Sequence, residues 1–454
     1  MSLRREEFRT LLGLGAPVMA AQLLQMSMGV MDTIMAGRVS AEDLAGIALG
    51  QSVLWPSQML LAGLINAATP IISQLNGAGR ADEVGAVVRQ GMWIALVSAL
   101  ALALLWQNID PLWGLLSVDD VTRRIASDYL AYTSYGIPAL LWYFLLRYLC
   151  EGLGHTRPAM VIAGMALVTK AGLNYVLIYG HFGVPAYGGA GTGIASAILW
   201  WAELAAIAFV VSRQRFRHTG VFSRFDWPHL PTIRRFVHIG LPIGATTFAE
   251  GFAYSLMTLL LGRFGADVVA SHQIAANLNG VAFMLPLGIG MAATIRVGFN
   301  VGARDYGRAR AAAEASMLFA AAFAVVAGVV LVFARGWIAS AYSTDPEVVA
   351  LAASVLLFVA AYQLADDTQV VAIGALRGYK DTRVPMLIAL FGYWVIGTPI
   401  SVWLGFGWGL DAPWGIYGFW TGMTAGLSTV ALLLGWRLWR VSRDARRIEA
   451  LAAG

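Results

Sequence analysis

Long apolar stretches separated by short polar segments account for most of the chain. Twelve of them stand out, at about 11–36, 44–75, 88–116, 126–150, 158–181, 188–212, 232–264, 268–300, 311–336, 347–376, 385–408 and 413–440. About 20 apolar residues in a helix cross the roughly 30 Å of hydrocarbon in a bilayer, so each stretch reads as a membrane span. Several are longer than that minimum, which predicts tilt or kinks at proline. None shows the period-two alternation with short turns that a membrane β-barrel requires. The fold class predicted is an all-α integral membrane protein with twelve transmembrane helices.

The residues that interrupt the apolar pattern recur at a fixed offset of 225 positions. Gly15-Ala16-Pro17 returns as Gly240-Leu241-Pro242, Gly37-Arg38 as Gly262-Arg263, Ala67-Ala68-Thr69 as Ala292-Ala293-Thr294, and Gly77-Ala78 as Gly302-Ala303. With one residue of slippage, Thr156-Arg157-Pro158-Ala159-Met160 returns as Thr382-Arg383-Val384-Pro385-Met386. The longest hydrophilic connector, about 212–235, separates the copies and predicts an N-terminal lobe at 1–220 (helices 1–6) and a C-terminal lobe at 221–454 (helices 7–12). Six spans is an even number, so both halves enter from the same side. They form parallel six-helix lobes related by a pseudo-twofold axis along the membrane normal, the sequence sign of a secondary transporter. A GxxxxGK[ST] phosphate loop is absent, which leaves an ion gradient as the source of energy.

Composition agrees with the hydropathy pattern. Hydrophobic residues make up 58% and charged ones 13%, against roughly 25% charged in a typical soluble domain. The net charge of +5 is unevenly placed: of 31 Lys plus Arg, 24 fall at the termini and in the loops after even-numbered spans. Arg38, Arg123, Arg124, Arg263 and Arg335 lie on the other side, and Arg147 and Lys170 lie within spans. This positive-inside asymmetry predicts a multi-pass protein of the cytoplasmic (inner) membrane with both termini in the cytoplasm. It also makes the basic tail from Arg437 to Arg447 a patch for lipid headgroups rather than nucleic acid. The apolar run after Arg4 and Arg5 is long and lacks a cleavage-like site, so it reads as the first span rather than a leader. A single cysteine, Cys150, rules out an internal disulfide and any multi-cysteine metal site. No Ser/His/Asp or Cys/His constellation is readable, and no enzyme is expected.

Polar groups at membrane depth are costly and mark pathways or coupling sites. Four acids fall well inside the predicted spans: Asp32, Glu250, Asp366 and Asp367. Glu250 lies eight residues after Pro242, with no Lys or Arg within a dozen positions on either side. A bare anion there is disfavoured by desolvation, which makes Glu250 a proton or sodium site. Tyr362, Asp366 and Gln369 share one helical face, and Asp367 points about 100° away. Facing alone does not choose between the two acids. Lys170 and Asn174 are one turn apart and point the same way. Asp32 is the acid of the N-terminal half to which the Lys170 ammonium turns, unless that side chain snorkels to an interface. Gln273 is placed to donate either to a substrate or to a neighbouring helix, and Gly422-x-x-x-Gly426 is helix packing.

Taken together these residues resemble the multidrug and toxic compound extrusion (MATE) family, and closely its NorM branch. The resemblance covers essentially the whole chain. Its most specific stretches are Val30-Met31-Asp32-Thr33-Ile34-Met35-Ala36-Gly37, Gln74-Leu75-Asn76-Gly77-Ala78-Gly79-Arg80, His155-Thr156-Arg157-Pro158-Ala159-Met160 and Ala375-Leu376-Arg377-Gly378-Tyr379-Lys380-Asp381. It implies a monomeric efflux antiporter that exports small, bulky, mostly cationic drugs and dyes in exchange for inward H+ or Na+, with no other cofactor. It also implies that Glu250, Asp366, Asp32 and Tyr362 couple the cation, with Na+ a possible ligand of Glu250, Asp366 and Tyr362. The family spacing from tyrosine to aspartate, glutamine and the Arg-Gly-Tyr-Lys-Asp stretch selects Asp366 over Asp367. Gln273, Asn174, Lys170 and Asp367 are then assigned to the substrate cavity. One position departs from the pattern: Lys170 stands where NorM-like relatives commonly carry Asn, which favours protons over sodium in the N-terminal half. The alternative is a lipid-linked precursor flippase of the same superfamily, expected to line its cavity with several cations, whereas Lys170 is the one cation expected mid-span.

Overall fold

A chain this apolar has to satisfy its backbone N–H and C=O groups internally, and helices do so segment by segment. The computed structural model describes residues 2–115, 119–409 and 411–453, and among these every regular element is helical. In chain order they are α1 (Ser2–Gly37), α2 (Ala41–Ile65), α3 (Ala68–Gly77), α4 (Val84–Gln107), α5 (Asp110–Leu115), α6 (Asp120–Ser134), α7 (Ile137–Gly152), α8 (Arg157–Tyr179) and α9 (Gly191–Ser212). There follow α10 (Gln214–Arg217), α11 (Leu230–Leu261), α12 (Ala266–Gly302), α13 (Tyr306–Tyr342), α14 (Pro346–Gly378), α15 (Arg383–Leu390), α16 (Thr398–Phe406), α17 (Ile416–Val441) and α18 (Ala445–Ala453).

Ten helices among the described residues are long and apolar enough to cross a membrane. The two other expected stretches, 126–150 and 232–264, differ for physical reasons. The first is broken into α6 and α7 around Tyr135 and Gly136, with Pro138 opening α7, and α7 carries the charged residues Arg147 and Glu151. The second is the continuous α11, whose apolar character is diluted by Arg234, Arg235, His238 and Glu250. The expected end of the third stretch, at 116, falls outside the described residues.

Proline shapes several spans. Pro17, Pro56, Pro242 and Pro286 lie inside α1, α2, α11 and α12, where each removes a helical hydrogen bond and favours a bend. The stretch 385–408 is interrupted by a π-helical segment, Phe391–Gly397, a wider turn that re-aims side chains and often marks a functional position.

The packing divides the chain into two compact units, one of Ala20–Gly244 and one of Met1–Met19 with Ala245–Gly454. Both divisions fall inside a helix, two residues past Pro17 in α1 and two past Pro242 in α11. In the second unit, Gly15 meets Gly288 of α12, where an added Cβ would stand 3.3 Å from the Gly288 carbonyl oxygen. The bidentate pair of Arg296 with Glu7, at 2.6 and 2.7 Å, ties the start of α1 to α12 in the same unit. In the first unit, Gly240 and Gly244 of α11 lie against the backbone of α2 at Leu64 and Leu60. Gly15 and Gly240 are repeat equivalents, as are Gly63 and Gly288, so each unit closes around the same glycine-lined helix crossing.

A second close approach yields a stability prediction. Gly374 of α14 sits on the backbone of Gly290 in α12, and a methyl group there would collide with the Gly290 carbonyl. Gly336 of α13, by contrast, has no atom within 4 Å of where its Cβ would stand. Gly374→Ala is expected to destabilise the purified protein by ~1–3 kcal/mol, the usual range for overpacking. Gly336→Ala, in open space within a helix, should hold or slightly raise the thermal midpoint. Equal midpoints for the two variants would show that the α12–α14 crossing is not constrained by Gly374.

Candidate functional site

The unit of Met1–Met19 and Ala245–Gly454 gathers three carboxylates from two helices. Glu250 lies midway along α11, eight residues past the Pro242 bend, and is half-buried. The Gln369 side-chain amide of α14 donates to its Oε1 at 3.3 Å. The Tyr393 hydroxyl, on the π-helical segment, stands beside the same carboxylate and donates to Gln369 Oε1 at 2.9 Å. Glu250 is thus positioned by neutral donors, with Arg377 acting on it from further along α14. Asp366 is 2% exposed. Its neighbours are the Asn279 amide of α12 and two further carboxylates, Glu250 and Asp367. The Asn279 carbonyl oxygen is buried without a hydrogen-bond partner. Tyr362 is one turn before Asp366 on α14 and packs edge-on against Trp420, with ring centroids 5.7 Å apart.

The expected facing along α14 is observed. Asp366 and Gln369 turn towards α11 and α12, whereas Asp367 accepts from the Gln363 amide of its own helix at 2.6 Å. The other Asp367 oxygen and the Gln363 carbonyl oxygen are buried without partners. Gln273 is exposed. Its neighbour His272 is fully buried, bonded to the Thr258 hydroxyl at 2.9 Å and packed against Tyr254 and Trp420.

The unit Ala20–Gly244 holds a second polar cluster. Asp32 of α1 accepts from the Asn174 amide at 2.7 Å, and the Lys170 ammonium lies 3.2 Å from its other oxygen. Lys170 also donates to Ser196 of α9, which fixes it towards the helix bundle rather than towards an interface. Asp32, Lys170 and Asn174 are therefore one buried constellation, brought together from α1 and α8.

This unit corrects the sequence-based count of buried acids. Asp32 is joined by Glu203 of α9, 4% exposed, and by Glu151 of α7, which is fully buried. Lys170 is likewise not the one buried cation: Arg147 of α7 is enclosed too and pairs with Glu151 at 2.7 Å. The i,i+4 spacing of Arg147 and Glu151 was the available signal for that pair. The cross-helix residues Asn279, Tyr393 and His272 had none, because no single-helix periodicity reports a partner on another helix. Among the described residues no group of three or more His, Cys, Asp or Glu has the arrangement of a metal site.

Comparison with known proteins follows the same lines. The MatE family model matches residues 17–176 and again 242–403, with starts separated by the repeat offset of 225. Multidrug resistance protein PmpM of Pseudomonas aeruginosa is 42% identical over 445 residues, covering 98% of this chain and 93% of its own. Multidrug resistance protein MdtK of Proteus mirabilis is 38% identical over 448 residues, 98% of each. A probable multidrug resistance protein NorM of Idiomarina loihiensis is 38% identical over 97% of this chain and 96% of its own. In structure, the Vibrio cholerae MATE transporter VcmN in its bent form superposes with a TM-score of 0.86 at 20% identity over 100% of both chains. The eukaryotic MATE transporter AtDTX14 superposes at 0.87 with 19% identity over 98% of this chain and 100% of its own. These two establish the fold, and the family match with the near-full-length relatives carries the rest: the chain is a multi-pass member of the multidrug and toxic compound extrusion family of transporters.

Proposed function

We propose that the protein is a multidrug efflux antiporter of the cytoplasmic membrane, acting as a monomer with both termini in the cytoplasm. It exports bulky, mostly cationic lipophilic compounds in exchange for inward H+ or Na+. The observation that carries this reading is the excess of negative charge around Asp366, whose charged neighbours are Glu250 and Asp367 while its hydrogen-bonding neighbour is the neutral Asn279. Carboxylates so placed in an apolar surrounding cannot all remain bare, and a proton, a sodium ion or a cationic drug supplies the missing charge.

The coupling follows from competition. Glu250 and Asp366 take up the coupling cation from outside, which removes the charge that holds a cationic drug. Loss of that cation towards the cytoplasm restores the charge and with it drug affinity. A ligand shifts a conformational equilibrium only by its differential affinity for the two states, and exclusion of one cation by another supplies that difference. For Na+ the ligands are hard oxygens: the two carboxylates, the Tyr362 hydroxyl and the unpartnered Asn279 carbonyl.

Of the residues assigned to the substrate, Gln273 is the accessible one. Asn174 and Lys170 reach a substrate after releasing Asp32, and Asp367 after releasing Gln363. A flippase for lipid-linked precursors is disfavoured, because Lys170 and Arg147 are each already neutralised by an acid. The test is efflux of a lipophilic cationic dye from proteoliposomes under an imposed proton gradient and, separately, a sodium gradient. Efflux under either is the expected result. Equal rates with and without both gradients would overturn the antiport reading.

A further inference from the structure

The buried cluster around Arg147 in the unit Ala20–Gly244 has no part in the cycle above. Arg147 is gripped on one side by Glu151, Nε to Oε1 at 2.7 Å. On the other side its guanidinium donates to Gln22 and Gln25 of α1 at 3.3 and 3.4 Å. Gln25 is the repeat equivalent of Glu250, so this unit carries an amide and a guanidinium where the other carries its half-buried acid. Glu203 reaches the same place from α9. Its Oε1 is buried with no hydrogen-bond partner, as are Glu151 Oε2 and the Tyr143 hydroxyl.

Glu203 stands under the influence of two cations, Arg147 from α7 and Lys170 from α8. Both are engaged elsewhere, with Glu151 and with Asp32. The remaining groups facing this region include Tyr143, Tyr148 and Cys150 of α7, Tyr129 of α6 and Ser196 of α9. Asp32, Glu151 and Glu203 against Arg147 and Lys170 make three acids and two bases, one negative charge too many in an enclosed, apolar setting. Burial of an uncompensated charge is far more costly than its neutralisation.

We propose that Glu203 is a proton-binding site of this unit, linked to Asp32 through Lys170. With Lys170 on Asp32, one proton on the Glu203 carboxyl brings the five groups to neutrality. When Asp32 no longer holds Lys170, the ammonium turns to Glu203, the carboxyl O–H bond breaks and the proton leaves to water. The unpartnered Oε1 is where the proton or the ammonium is received.

Infrared spectroscopy of the full-length protein in lipid reads this directly, because the C=O stretch of a protonated carboxyl absorbs apart from that of a carboxylate. Glu203→Gln is expected to remove one protonated-carboxyl band present in the native protein at neutral pH. Glu203→Asp, which keeps the chemistry, is expected to shift that band, and it decides the matter if the Gln variant does not fold. Asp32→Asn is expected to reduce the Glu203 band to less than about half at the same pH, since the freed ammonium stabilises the carboxylate. A native spectrum in which neither Glu203 variant changes any protonated-carboxyl band would refute the site. An undiminished band in Asp32→Asn would refute the link through Lys170. The measurement needs neither drug nor gradient, so its failure leaves the antiport reading standing.

Discussion

Carrying Glu250→Gln and Asp366→Asn together, the protein reconstituted in liposomes exports dye under a proton or a sodium gradient at no more than about one-hundredth of the native rate. A hydrogen bond to a charged group is worth ~1.5–3 kcal/mol. Glu250 meets Gln369 and Tyr393, and Asp366 meets Asn279, so several such interactions weaken when both charges go. A loss near the roughly 2.7 kcal/mol of a hundredfold effect follows without full additivity. Each single variant should fall between the native protein and the double one, because the two carboxylates act on each other and their losses do not add. The fold should survive, since the two introduced amides keep the shape of the acids they replace and remain partners for Gln369, Tyr393 and Asn279. Monodisperse elution of the double variant checks this. Gradient-driven efflux that persists at near-native rate in the double variant removes both residues from the coupling mechanism.

Much of this architecture is legible in the chain itself, because lipid leaves a polypeptide few options. Apolar stretches of membrane length become helices, and the offset of 225 residues reappears as one glycine-lined crossing in each unit. What the sequence hides is which body a segment packs into. The runs before Met19 and Gly244 look like ordinary first turns of a span, yet each packs into the unit opposite to the rest of its helix. That choice rests on contacts far apart in the chain, Glu7 with Arg296 and Gly240 with Leu64. The π-helical turn at Phe391–Gly397 is hidden in the same way, and with it the placing of Tyr393 beside Glu250.

The site divides along similar lines. Periodicity within α14 separates Asp366 from Asp367, and one-turn spacing within α8 brings Lys170 and Asn174 onto one face. Both follow from helix geometry alone. Glu203 shows where such reasoning stops. It is a solitary acid in an apolar helix, and what distinguishes it is the company of Arg147 and Lys170 on two other helices. The repeat itself conceals the cluster, since the residues it duplicates are the small ones that shape helix crossings. The ionisable ones stand unpaired: Asp32 opposite Met257, Glu250 opposite Gln25 and Asp366 opposite Leu140. A symmetric frame thus carries two different sets of charges.

Lys170→Asn is expected to make the N-terminal unit responsive to sodium. In the native protein the Asp32 carboxylate is held between the Asn174 amide at 2.7 Å and the Lys170 ammonium at 3.2 Å. Removing one partner of a buried ion pair costs about 3–5 kcal/mol, because the other charge is left uncompensated. Asparagine returns an amide oxygen to the site but no charge, so the vacated positive position is open to a small cation with oxygen ligands from Asp32, Ser196 and the new side chain. A cation that binds the folded state alone stabilises it by mass action, by about 2.7 kcal/mol at roughly one hundred times its dissociation constant. At equal ionic strength, the rise in thermal midpoint with sodium chloride over choline chloride should therefore be larger for Lys170→Asn than for the native protein, because the Glu250–Asp366 site contributes equally in both. Dye efflux driven by a sodium gradient should increase by about tenfold relative to that driven by protons, which corresponds to ~1.4 kcal/mol of altered preference. A sodium-over-choline rise no larger than that of the native protein, together with unchanged efflux under both gradients, would mean that the Lys170 ammonium does not hold a cation's place.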